Sequence, residues 1–339
     1  MKKEKYKVTL VLPIYNVEKY IERSLLSALN QTFSSIEYLI INDHGTDNSM
    51  EIARTIINSH PRKDQINIID HNENRGLGAT RNTGIVNAKG EYIYFMDSDD
   101  IINPDSILIL YNKTLEKKTD LVIGSYKSTD YGSTGKRWEW IFENCYISGH
   151  NFEVADYYFK GGFYVMSWNK LYCTEFLRSN NIKCIDNTLH EDIFFAFQVA
   201  LNAESVITIS DVTYYYTFRY DSTMSSYKLK NYLDFYNSIE KMKCYSENFK
   251  ESKIYPRVVN YIYGFKNKII IDLNKNQNLT KEIKNEYLKK FSNAFLTINE
   301  IYNLKNTKIL HKMKFLLSFF PYKIQLFIIQ IIVNIYKKL

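Results

Sequence analysis

The 339-residue chain has four cysteines, Cys145, Cys173, Cys184 and Cys244, each standing alone, with no CxxC pair and no metal-ligand spacing. Reduced thiols of a cytosolic protein are the expectation. No Walker A sequence occurs. Gly76 and Gly78 do not make a GxGxxG and do not follow the first strand, so P-loop and dinucleotide chemistry are set aside. An EF-hand loop starting at Asp97 fails, because Ile102 stands at the turn glycine and Leu108 at the closing glutamate. The formal net charge of +7 is modest and forms no basic stripe interleaved with aromatics, which argues against a nucleic-acid partner. Phosphates of a small molecule or an anionic membrane surface are the better partners. The opening MKKEKYKVTLVLP has too short an apolar run for a signal peptide and reads as a strand. No internal repeat is visible.

What is present suffices for a substantial core, in one large or two medium domains. The 29 Tyr and 20 Phe suit carbohydrate or apolar surfaces, but an AT-biased genome also enriches such residues, so they carry little weight. The first third alternates. Apolar runs at 8–13, 37–41, 66–69, 92–96 and 121–124 read as strands, separated by helical periodicity from Val17 (with Asn16 as N-cap), from Thr46 or Asp47, over 79–88 and over 104–115. This pattern predicts an α/β fold with a mostly parallel sheet flanked by helices. Ligands then bind beyond the carboxyl ends of the strands. Asn16, Asp43 and Asp97-Ser98-Asp99-Asp100 all fall there. Residues 126–225 read as irregular structure and short elements beside the sheet, and 226–339 as a helical region.

The acidic run is the strongest signal. Three carboxylates in four residues repel one another unless a cation lies among them. Asp97 and Asp99 point to one side of an extended segment, and two oxygens there suit Mg²⁺ or Mn²⁺ with positions left for substrate phosphates. An acidic turn capping the helix after Pro104 is the plainer alternative. Asp43 could accept hydrogen bonds from a nucleobase, yet its segment is also an ordinary strand–helix turn. Arg75 or Arg81, among glycines at a helix start, could meet phosphate or ribose. Glu191-Asp192 before an apolar helix reads as a general base or as first-turn charges favoured by the dipole. Arg219 reads as a clamp on a diphosphate or as a surface cation.

Together, Pro13-Ile14-Tyr15-Asn16, Asn42-Asp43 with Thr46-Asp47, Asn74-Arg75-Gly76 with Arg81-Asn82, and Asp97-Ser98-Asp99-Asp100 resemble the family 2 glycosyltransferases, in that order and spacing. The resemblance is strong over residues 6–125. It continues through Trp168-Asn169-Lys170-Leu171-Tyr172, Glu191-Asp192 and the Tyr216–Arg219 segment. It implies a Rossmann-like GT-A fold, with a nucleotide-sugar half at 1–125, an acceptor half at 126–225, and transfer with inversion from a UDP-sugar to a glycan or lipid-linked oligosaccharide. The resemblance also implies the site. Pro13, Tyr15, Asn16, Asp43, Arg75, Arg81, Asp97, Ser98 and Arg219 would bind the donor. Asp99, with Asp97, would hold Mg²⁺ or Mn²⁺, and Asp192 would be the general base with Glu191 beside it. Two departures stand out. His44-Gly45 replaces a common Gly-Ser, and Thr217 replaces a common first arginine, leaving Arg219 as the cation of its segment.

The tail FLLSFFPYKIQLFIIQIIVNIY, with lysines on both sides, nearly reaches a spanning length but is split by Pro321 and Lys323. An in-plane anchor at the inner leaflet, burial in a core or dimer interface, and a true span are the three readings, the first preferred. The expected location is cytoplasmic and peripheral to the membrane, with a homodimer among the possible states. Two rivals remain: a nucleotidyltransferase, which wants a Gly-rich basic loop after strand one, and a non-catalytic binding or assembly subunit of the same fold.

Overall fold

A computed structural model describes residues 6–129, 137–218, 228–304 and 309–336. The chain divides into two compact units, Met1–Ser222 and Thr223–Leu339.

The first unit is built on one sheet, with ten strands among the described residues. Strands β1 (Tyr6–Ile14), β2 (Ile36–Asn42), β3 (Ile66–Asp70) and β4 (Gly90–Phe95) alternate with α1 (Ile21–Leu29), α2 (Ser49–Ser59) and α3 (Gly76–Asn87). They pair in parallel in the order β3-β2-β1-β4. Val8, Leu10, Val11 and Leu12 of β1 are wholly buried, as a central parallel strand covered on both faces requires. Each such side chain contributes about 1.5–3 kcal/mol of burial. Helix α1 turns Ile21, Leu25, Ala28 and Leu29 inward, a spacing that makes one helical face.

Beyond β4 the sheet becomes mixed. After β5 (Ile101–Ile102), α4 (Ser106–Glu116), β6 (Leu121–Ser128), β7 (Glu139–Trp140), β8 (Cys145–Ser148) and α5 (Glu153–Phe159), the four-residue strand β9 (Lys170–Cys173) lies antiparallel between β4 and β6. Helices α6 (Thr174–Ser179) and α7 (Glu191–Asn202) lead to β10 (Ser205–Tyr216), which runs parallel to β6. Within 126–225, the strands β7, β8, β9 and β10 therefore extend the sheet, rather than only packing beside it. The signal is weak because β9 has only four residues and its partners β4 and β6 lie far away in the chain.

The second unit is helical: α8 (Leu229–Ser246), α9 (Tyr255–Lys275), α10 (Lys281–Phe291), α11 (Ile298–Asn303), α12 (Ile309–Leu316) and α13 (Tyr322–Tyr336). Val258, Ile262, Ile269, Ile270 and Leu273 form the buried face of α9. Buried Lys266 donates to the carbonyls of Ser292 and Asn293, and burial pushes its amine down to about 7. On α12, α13 and the turn between them, Ile309, Met313, Leu316, Phe319, Phe320, Ile324, Phe327 and Ile331 are exposed. No helix among the described residues is long and apolar enough to cross a membrane.

Candidate active site

Two polar corners form where β2 and β4 end. At the first, Asp43 is 2% exposed. Its Oδ1 accepts from the Arg75 amide at 3.0 Å and its Oδ2 from the Gly76 amide at 2.8 Å. Gly76 has φ +81°, a left-handed turn that a side chain would strain, and this turn presents both amides. His71 Nδ1 lies 2.7 Å from Asp43 Oδ1, and its Nε2 lies 2.9 Å from Thr83 Oγ1. The Asp43 carboxylate can only accept, so Nδ1 donates to it, and in a neutral ring Nε2 accepts from the Thr83 hydroxyl. His71 thus ties Asp43 to α3. Gly78 lets the chain before α7 pack on this helix, since a Cβ there would lie 2.2 Å from the Ile185 carbonyl.

Nearby, Pro13 is buried in β1 opposite Ile41, and Tyr15 is 46% exposed. Asn16 does not cap α1, whose N-cap is Tyr20. Instead it adopts φ +51°, a conformation asparagine tolerates, and its Oδ1 accepts from the Thr46 amide at 2.8 Å. Asp47 likewise precedes α2 and accepts from the amide and hydroxyl of Ser49. Half-exposed Arg75 places Nη2 3.5 Å from Asp186 Oδ2.

The second corner is the acidic turn after β4. Arg81, 2% exposed on α3, bridges Asp97 Oδ1 at 2.8 Å and Glu191 Oε1 at 2.6 Å. Burial opposes the guanidinium charge, but Asp97 and Glu191 outweigh it, so Arg81 holds its proton more tightly than usual. Burial lifts the Glu191 carboxyl to about 7, against the pull of Arg81. Asp192 is half-buried at the start of α7 and takes no part in that bridge. Asp100, fully buried, accepts from the Tyr214 hydroxyl at 2.6 Å and the Thr217 amide at 2.7 Å. Burial raises its carboxyl well above the usual range, and Asp99 and Asp97 add to the rise. The Tyr214 hydroxyl also accepts from the Asp97 amide. Ser98 is buried and Asp99 half-buried between these anchors. On the α1 side, Arg23 Nη2 donates to the Asp99 carbonyl at 3.2 Å and to Thr217 Oγ1 at 3.0 Å.

The turn, Arg81, Glu191 and Asp192 are thus one neighbourhood, with the Asp43 corner joined to it through α3. Arg219 lies outside the described residues. His71, Arg23 and Tyr214 were not anticipated. A histidine at a strand end gives a faint signal for the first, and the other two carry none, since their partners lie far along the chain. No group of three or more His, Cys, Asp or Glu among the described residues is arranged to hold a metal ion. Asp97 and Asp99 offer carboxylate oxygens, and a Mg²⁺-type site needs only one or two of these beside substrate phosphates and water. The donor set fits such an ion.

The profile of Glycosyl transferase family 2 matches residues 9–186. The putative glycosyltransferase EpsH of Bacillus subtilis is 34% identical over 226 residues, 66% of this chain and 64% of that protein. Glycosyltransferase GlyG of Streptococcus pneumoniae is 31% identical, over 64% of this chain and 72% of its own. The poly(ribitol-phosphate) beta-N-acetylglucosaminyltransferase TarP of Staphylococcus aureus is 30% identical, with 62% of each chain covered. The chain therefore spans a little less than two thirds of EpsH and TarP. In structure it is similar to a Staphylococcus aureus TarS fragment in complex with UDP-GlcNAc, at a TM-score of 0.72 and 19% identity, covering 98% of this chain and 92% of the other. That likeness establishes the GT-A-like architecture, a mixed curled sheet with flanking helices and a helical C-terminal region.

Proposed function

Because this chain belongs to glycosyl transferase family 2, we propose that it transfers a hexosyl or N-acetylhexosaminyl group, with inversion, from a UDP-sugar to a hydroxyl of a cell-surface glycan or lipid-linked oligosaccharide. The observation that carries this reading is the Arg81 bridge, which joins the acidic turn to the Glu191-Asp192 pair at one edge of the sheet. A relative that acts on poly(ribitol-phosphate) and a structural neighbour bound to UDP-GlcNAc support a donor and a setting of this kind.

In this reading the Asp43 corner takes the nucleobase, with Pro13, Tyr15 and Asn16 around it and Arg75 toward the phosphates. Asp99 and Asp97 hold Mg²⁺ or Mn²⁺, which when bound offsets negative charge growing on the diphosphate. Ser98 sits between them. Buried Arg81 acts by fixing Asp97 and Glu191 rather than by reaching the donor. Asp192 takes the proton of the acceptor hydroxyl as that oxygen bonds to the anomeric carbon and the bond to UDP breaks. Arg23, beside Thr217, brings a cation to the acidic turn, and Arg219 is assigned the clamp on the diphosphate. Residues 126–225 form the acceptor half.

The exposed apolar residues of α12 and α13, with Lys312 and Lys323, form a face suited to anionic lipid, which would keep the enzyme on the cytoplasmic leaflet. Scanning fluorimetry with UDP-, GDP-, CMP- and dTDP-sugars, with and without Mn²⁺, tests the donor reading. A ligand at a hundred times its Kd adds about 2.7 kcal/mol. A metal-dependent shift with one UDP-sugar, lost in Asp99→Ala, is expected. A folded protein that responds to no nucleotide would instead be a non-catalytic binding subunit.

A further inference from the structure

A ladder of aromatic rings runs outward from the acidic turn. Its inner end is Tyr214, fully buried, whose hydroxyl holds Asp100. The Trp168 ring stacks on Tyr214 with centroids 4.5 Å apart and planes 8° from parallel, and Tyr216 follows at 6.0 Å and 21°. The outer end is Trp138, 5.9 Å from Tyr216 and 5.6 Å from Phe218. The backbone fixes this end, since the Thr129 amide donates to the Tyr216 carbonyl and the Ser128 amide to the Trp138 carbonyl. Burial falls along the ladder, from Trp168 at 4% exposed to Trp138 at 53%. An indole held by a stack and half open to water offers a fixed apolar face with a polar N–H edge, a surface suited to an amphipathic ring.

We propose that Trp138, with Tyr216 and Phe218, is the platform on which a pyranose ring of the acceptor stacks. The acceptor is then a pyranose-containing glycan rather than an acyclic polyol phosphate. The inference rests on the glycosyltransferase reading above and names the acceptor subsite of that same site. Continuity carries it: the residue after Tyr216 is Thr217, whose amide binds Asp100 of the acidic turn. A sugar on Trp138 therefore sits at the rim of the reaction centre. The chemistry of the platform selects the ring. An aromatic face accepts the C–H face of a pyranose, whereas a polyol phosphate offers no such face and calls for cations. Among the described residues near the platform, Lys127 pairs with Glu139 at 3.7 Å, Arg137 has a partner of its own, and Arg23 donates to the Asp99 carbonyl and Thr217.

The test uses the full chain with UDP and Mn²⁺. Saturation-transfer NMR is read on methyl β-D-glucopyranoside, methyl β-D-galactopyranoside and methyl N-acetyl-β-D-glucosaminide, with ribitol 5-phosphate as the acyclic probe. Ring C–H protons of at least one glycoside should be saturated. Trp138→Ala should weaken that binding about tenfold, and Trp138→Phe should restore most of it. UDP affinity by calorimetry should be unchanged in both. If Trp138→Ala fails to fold, Trp138→Leu takes its place, with the same loss expected. The platform is overturned if the ring-less variant binds sugars like the wild type, if no glycoside binds the wild type, or if only ribitol 5-phosphate does. Failure of the wild type to bind UDP would count against the donor reading, and the glycoside signals would still judge the platform.

Discussion

The Asp43 corner and the acidic turn lie at one edge of one sheet, yet they are held in different ways. Asp43 is satisfied by the amides of Arg75 and Gly76 and by His71, all from the single segment that leads from β3 into α3. The acidic turn is held by Arg81 (itself fixed by Glu191 of α7), Tyr214, Thr217 and Arg23, drawn from α3, β10, the residue after β10, and α1. A locally satisfied carboxylate depends on one turn keeping its shape. A remotely satisfied one depends on the whole unit being assembled, and it reports any loosening of that assembly.

The sharpest way to break the contrast is at the acidic turn. Asp99→Ala should lower kcat by a factor of about 10²–10³ or more while the fold persists, read as initial rates of UDP release. Arg81→Met should cost about 3–5 kcal/mol, because Asp97 and Glu191 would be left buried without their cation. Chemical denaturation checks this, and a loss under 1 kcal/mol would mean the bridge is not what joins α3 to α7. At the other corner, His71→Leu should cost less, about 1–3 kcal/mol, and should raise the donor KM more than it lowers kcat.

A pH series sharpens the difference further. The raised carboxyl of Glu191 adds stability that is fully present below the ordinary glutamate range and is lost as pH climbs through about 7. The wild-type Tm should therefore fall more steeply between pH 5 and 7 than that of Glu191→Gln, and parallel slopes would refute the assignment. The smallest effect belongs to Asn16→Gly, which loses the bond to the Thr46 amide but eases a left-handed backbone. Its Tm should imply a change within about 1 kcal/mol.

The same contrast explains what the sequence made legible. Asp43 and the acidic run announce themselves because each directly follows an apolar strand. The four parallel strands were legible as apolar runs. The partners of Arg81 were not, since an arginine in a glycine-rich helix start suits a phosphate as well as two distant carboxylates. The burial of Asp100 is equally silent, because its donors come from β10. Asn16 precedes an apolar period and so resembles a cap, but residues 17–20 form a turn first, which leaves its side chain to the Thr46 amide. The order of β9 in the sheet is a matter of topology, which periodicity does not encode.

The place of β9 has a consequence for how the chain is made. Strand β4 emerges from the ribosome with one edge paired to β1 and the other open, and β6 follows without being its neighbour. Only when Lys170–Cys173 have been synthesised can both edges be closed at once. Until then the nascent chain carries the open edge of β4 and the facing edge of β6, the kind of surface that recruits a chaperone or another copy of the same strand, while the far edge of β6 waits for β10. Slowed translation before Lys170 would lengthen that interval, so the yield of folded protein should respond to codon choice there.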